Sequence, residues 1–233
     1  MDTVTTTLDR LGPVAQVRAG RLGRRLPQLL VGLAAYGVSA AMMLRAHVGA
    51  MPWDVLHQGI ARHLPWDFGA IVIAVSVLVL ALWVPIRELP GLGTVLNAVL
   101  VGLFADLGLA VLSDPGTWWG RAALAAGGIV LNAAATACYV GAQLGPGPRD
   151  GLMTGLHRRT GLSLRLVRTS IEVTVVVAGW LLGGTFGVAT VAYALVIGPL
   201  VQLLLPRFLV SLPAGSPARR PVRPRPPRRG SSR

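Results

Sequence analysis

The chain has no lysine, one cysteine and little charge of either sign. Its 22 basic and nine acidic residues make up only 13% of 233 positions, where a soluble domain carries about 25%. A lone cysteine, Cys138, excludes an internal disulfide framework and a cysteine-based metal cluster. The four histidines, His47, His57, His63 and His157, show no His-x-x-x-His or Cys/His spacing, so no zinc site is expected. No Gly-Lys-Ser/Thr follows the glycine-rich stretch at 145–155, which removes a nucleotide-phosphate loop. There is no Ser/His/Asp order, no carboxylate dyad and no cofactor fingerprint. The chain is read as a non-enzyme without cofactor or metal. Its net charge of +13 would suit nucleic acid, but the arginines crowd into the tails and one central segment, so no nucleic-acid partner is expected.

Apolar sequence fills the space left by charge: 53% of residues are hydrophobic and the mean hydropathy is +0.61. That balance belongs to an integral membrane protein. A spanning helix needs about 20 mainly apolar residues, and six runs qualify: 28–46, 68–86, 92–112, 121–142, 165–184 and 187–205. The expected fold class is therefore all-α, a polytopic membrane protein of about six transmembrane helices.

The six runs fall into two sets of three, because the chain repeats itself. Gly49, Pro52, Asp54, Leu56, Gly59 and Arg62 pair without a gap with Gly145, Pro148, Asp150, Leu152, Gly155 and Arg158, an offset of 96. The same offset carries Gly32, Gly91, Thr94, Val95, Ala98 and Gly102 onto Gly128, Gly187, Thr190, Val191, Ala194 and Gly198. Three spans are an odd number, so the second half enters the membrane opposite to the first, as an inverted-topology repeat. The expected divisions are a basic segment at 1–26, repeat 1 at 27–113, repeat 2 at 120–206 and a disordered Arg/Pro-rich tail at 207–233.

Arginine placement gives the expected orientation. With both termini inside, nineteen arginines lie in cytoplasmic segments and only Arg45, Arg62 and Arg121 outside, as the positive-inside rule requires. Tryptophans 53, 66, 118 and 119 would then mark the outer interface. The basic tails are placed to lean on anionic lipid headgroups.

The two Pro-x-Asp segments are the first candidates for chemistry. Asp54 and Asp150 are placed to cap short helices. Ten to twelve residues cannot cross a bilayer, so each piece is interfacial or re-entrant. If re-entrant, the two helices converge on a common site; if interfacial, they close the bundle. Arg149 stands where the first copy has Trp53, and would pair with a carboxylate, hold an anion or anchor the loop to headgroups. Asp106 and Glu172 lie within spans, where a carboxylate is costly and usually faces the interior with a partner. Arg168, four residues before Glu172, is its expected partner, with Arg165 one turn further back. Asn97 and Asn132 are expected to form interhelical hydrogen bonds.

The stretch Gly145-Pro-Gly-Pro-Arg-Asp-Gly-Leu-Met-Thr-Gly-Leu, with Arg168-Thr-Ser-Ile-Glu172 and Pro52-Trp-Asp-Val-Leu56, resembles the YczE/YyaS/YitT group of bacterial integral membrane proteins, nearest its YczE-like branch. The resemblance spans about 25–210. It implies a bacterial plasma-membrane location and supplies no substrate or catalytic residues.

Two functions remain in view. One is a small secondary transporter or exporter of an unidentified small solute, its site at the repeat interface and carried by Asp54, Asp106, Arg149, Asp150, Arg168 and Glu172. The other is a non-transporting scaffold or regulatory partner of another membrane or biosynthetic system. The bilayer is the expected environment, and a second copy of the chain is admitted as a homodimer partner.

Overall fold

The computed structural model describes residues 12–212; 1–11 and 213–233, which hold much of the basic tails, lie outside the described residues. Those described form ten helices and no strand: α1 Pro13–Arg18, α2 Leu22–Ala46, α3 Pro52–Ala61, α4 Phe68–Ala81, α5 Trp83–Ile86, α6 Leu92–Val111, α7 Trp118–Gly141, α8 Pro148–Thr160, α9 Leu164–Leu181 and α10 Val188–Phe208. Five segments are long and apolar enough to cross a membrane: α2, α4 with α5, α6, α7 and α10. The protein is an all-α, multi-pass membrane protein. Large exposed side chains such as Val77, Leu78, Leu103 and Leu195 have the bilayer as their solvent.

The sixth expected span, 165–184, exists as helix α9 but stands apart from the other five. Its 18 residues include Arg165, Arg168 and Glu172, more charge than an apolar span carries.

The helices form two layers. One holds α2, α6, α7 and α10, with α2 packed along both α6 and α7 and α7 along α10. The other holds α3, α4, α5, α8 and α9, with α3 against α9 and α8 against α4, α5 and α9. Small residues let the central pair approach closely. Gly32 of α2 lies against Ala135 and Tyr139 of α7, while Gly128 of α7 lies against Ser39 and Met43 of α2. Rising numbers on one helix meet falling numbers on the other, so α2 and α7 are antiparallel. The two contacts are also the same contact displaced by 96 residues and reversed.

That reciprocity recurs at the chain turns. His47 and Gln143, at φ 56° and 55°, and then Gly49 and Gly145, at φ 128° and 123°, bend the two segments that precede α3 and α8. The last two angles suit only glycine comfortably. After the first bend Val48 accepts a hydrogen bond from Ala189 N at 3.0 Å; after the second, Leu144 accepts one from Gly93 N at 2.7 Å. Each turn thus docks on the start of the other half's last helix. There Thr94 and Thr190 hydroxyls accept from Gly91 N at 3.2 Å and Gly187 N at 3.3 Å, closing the first turns of α6 and α10.

Between the layers the halves differ. α4 runs along α6, and Gly69 and Gly102 face each other so closely that a methyl group on either would collide with the other's carbonyl oxygen. Asp106 completes that seam, its carboxylate accepting from Gly69 N at 2.7 Å. Counting on 96 residues, Gly69 becomes Arg165, Gly102 stays glycine as Gly198 and Asp106 becomes Gln202. α9 accordingly packs on α3 and α8 and stands off α10. A Cβ built on Gly198 meets no atom within 4 Å.

Arg25, counted from the sequence among the cytoplasmic arginines, also has a role inside the fold. Its side chain is fully buried. It donates to Gln16 O at 2.7 Å, Gly20 O at 3.1 Å, Ala142 O at 2.8 Å and Gln143 O at 2.7 Å. These carbonyls lie where α1 and α7 end, and a cation there also meets the negative end of both helix dipoles.

Candidate functional site

The short helices α3 and α8 carry the site. Each begins with proline at its first position, where a missing N–H costs nothing and the fixed φ suits a helix. Each is preceded by a backbone cap in extended conformation, Met51 or Gly147. Asp54 and Asp150 are therefore not the caps they were expected to be. They occupy the third helical position, and neither forms a side-chain cap. Their carboxylates turn inward to other partners.

Asp54 is buried and accepts from His57 Nδ1 at 3.0 Å; His57 is fully buried too. Arg149 reaches this pair from α8, its Nη2 lying 3.5 Å from His57 Nε2 and 3.9 Å from Asp54 Oδ1. One arrangement of protons serves every member: His57 is neutral, gives its Nδ1 proton to Asp54 and receives Arg149 at Nε2. Arg149 also lies over the Trp53 ring, 5.0 Å from its centre, in a cation–π contact. Trp53 is buried beneath it rather than lying in an interfacial belt. Trp66, Trp118 and Trp119 are exposed. Trp53 Nε1 and Asp54 Oδ2 are buried with no hydrogen-bond partner among the described residues.

Trp53 and Arg149 stand 96 residues apart, the offset that pairs the two Pro-x-Asp segments. Packing below them is exchanged in the same fashion. Gly151 of α8 receives the Trp83 ring, and Gly179 of α9 receives the α3 backbone at Val55 and Leu56. Val55 corresponds to Gly151 and Trp83 to Gly179, so bulk and gap have traded sides between equivalent contacts. Trp83 Nε1 also donates to Pro148 O at 3.0 Å, which fixes where α8 starts.

A cavity of about 480 Å³ lies between the layers, within the range of small-molecule sites. Tyr36, Asn97, Tyr139 and Tyr193 line it from one layer, and Ser76, Arg149, Asp150 and Arg168 from the other. A second space of about 50 Å³, room for little more than a water molecule, shares Tyr36, Arg149, Asp150, Arg168 and Tyr193 and adds Trp53 and Glu172. Asp150 accepts from the Tyr139 hydroxyl at 2.8 Å. Arg168 donates from Nε to Glu172 at 2.8 Å, the pair expected from their four-residue spacing.

Of the residues singled out from the sequence, Arg149, Asp150, Arg168 and Glu172 meet at these two spaces, and Asp54 sits directly behind Arg149. Asp106 does not join them; it holds the α4–α6 seam. Asn97 lines the cavity. Asn132 behaves as expected, donating to Ser39 Oγ and accepting from Tyr193, both at 2.9 Å. His57 and the three tyrosines were missed. The signal for His57 was its three-residue spacing from Asp54, which puts both on one helical face. Nothing local marks the tyrosines, which come from α2, α7 and α10. Among the described residues no group of histidine, cysteine and carboxylate side chains could hold a metal.

Residues 23–206 match the family of unknown function DUF6198. A Haemophilus influenzae protein described as uncharacterized is 38% identical over 177 residues, covering 76% of this chain and 81% of that one. The Bacillus subtilis protein described as the uncharacterized membrane protein YczE is 34% identical over 182 residues, covering 75% and 81%. No solved structure matches the chain. The chain belongs to the DUF6198 family, as a YczE-like multi-pass membrane protein.

Proposed function

We propose that the protein is a small secondary transporter of the bacterial plasma membrane, built as an inverted-topology repeat with cytoplasmic termini, which moves a small solute through the cavity between its layers. The observation that carries this reading is the contact of Arg149 with Trp53. Equivalent positions of a two-fold repeat can touch only near the axis that relates them, and here they touch beside the cavity. A solute site on that axis is open to each side in turn when the halves exchange conformations. The closed α4–α6 seam and the parted α9–α10 pair supply the difference between halves that such an exchange reverses.

The test needs no knowledge of the solute. Spin labels are placed at the exposed, equivalent pairs Val77/Val95 and Val173/Val191, in a Cys138→Ala background, and their separations measured in proteoliposomes. A transporter gives two populations that move in opposition, one pair parting as the other closes. One fixed separation for each pair, across pH and membrane potential, would overturn the reading.

A further inference from the structure

The charges around the cavity do not cancel. Asp54, Asp150 and Glu172 bring three negative charges, Arg149 and Arg168 two positive ones, and the buried, hydrogen-bonded His57 is neutral. Each arginine is already committed: Arg168 to Glu172 at 2.8 Å, Arg149 to Asp54 at 3.9 Å and to the Trp53 ring. Asp150 differs. It lines both spaces, yet among the described residues no arginine or histidine comes within ion-pair distance of it. Its partner is the neutral Tyr139 hydroxyl. The same shortage shows behind it, where Asp54 Oδ2 is buried without a donor. An entering anion would first have to break an existing ion pair, whereas an entering cation finds a carboxylate waiting.

The rest of the lining suits a cation with an apolar body. Tyr36, Tyr139 and Tyr193 surround the carboxylate end, and tyrosine faces attract quaternary and protonated amines. Val72, Val101, Ile197 and Val201 line it further on. We infer that the solute is an organic cation, an amine with an apolar body, whose charged nitrogen pairs with Asp150 among the three tyrosines. The inference rests on the cavity being the solute site, and its test reads binding rather than movement, so that either idea can fail alone.

The probes are benzyltrimethylammonium and its anionic counterpart benzenesulfonate, titrated by calorimetry into the purified full chain in detergent. Benzyltrimethylammonium binds the parent protein and benzenesulfonate does not. Asp150→Asn keeps an acceptor for Tyr139, so the fold is retained, and the cation binds roughly ten- to a hundredfold more weakly, as loss of one charge-assisted contact predicts. Asp150→Glu retains most of the affinity. Asp106→Asn, at the α4–α6 seam, leaves it unchanged. Preference for benzenesulfonate, equal affinity in Asp150→Asn, or no heat with either probe would overturn the assignment. If cation binding survives while the spin-label pairs stay fixed, it is transport that fails.

Discussion

The seam between α4 and α6 and the gap between α9 and α10 lie at positions 96 residues apart, yet one is shut and the other parted. Three residues account for the difference. Gly69 and Gly102 let two backbones meet, and Asp106 locks the meeting by holding Gly69 N. The second copy keeps only the glycine on α10, as Gly198, and sets Arg165 where contact would require a residue without a side chain. A guanidinium cannot be pressed against an apolar helix without a large desolvation cost, and α9 takes its support from α3 and α8 instead. The cavity lies between the layers, and the parted pair makes one of its edges. Different residues at positions 96 apart thus give a closed side and an open one.

The comparison can be broken most severely at its glycines. Gly102→Ala puts a methyl group into the Gly69 carbonyl and should cost about 1–3 kcal/mol, as overpacking does. Gly198→Ala meets no neighbour and should be neutral or slightly stabilising. Melting temperatures of the two purified variants check this, and equal losses would mean that the gap is not open. Asp106→Ala leaves Gly69 N without an acceptor and should cost about 1 kcal/mol, whereas Gln202→Ala at the matching site should change little. Arg165→Gly is the sharpening variant and the mildest. By restoring glycine opposite Gly198 it should draw α9 toward α10 and slow thiol labelling of Gln202→Cys severalfold. Unchanged labelling would show that Arg165 is not what holds the helices apart.

Much of this was legible in the sequence, for physical reasons. Hydropathy places the apolar helices because a spanning helix must hide its backbone from lipid. The offset of 96 pairs Gly49 with Gly145, and both take the same left-handed bend. Arg168 and Glu172 pair because four residues make one helical turn. Legibility ended where partners come from far away in the chain. Asp54 and Asp150 look like caps by position, but backbone geometry at Met51 and Gly147 does that work and frees both carboxylates. Trp53 looks like an interfacial anchor until Arg149, 96 residues later, covers it. Asp106 looks like a coupling carboxylate and is the lock of a helix seam. Arg25 looks like one more topology signal, and its hold on four backbone carbonyls shows only in the fold. Exchanges such as Trp83 on Gly151 against Val55 on Gly179 are invisible without the fold, since the glycine and its larger partner trade places between the two contacts.

Opposed insertion of the two copies is the claim on which the rest depends. It is tested most directly by labelling Leu64→Cys and Thr160→Cys, exposed and equivalent positions just after α3 and at the end of α8, each in a Cys138→Ala background. Intact cells are treated with a membrane-impermeant maleimide. The account predicts that position 64 is labelled from outside and position 160 only after the membrane is permeabilised. Labelling of both positions from one side would contradict it.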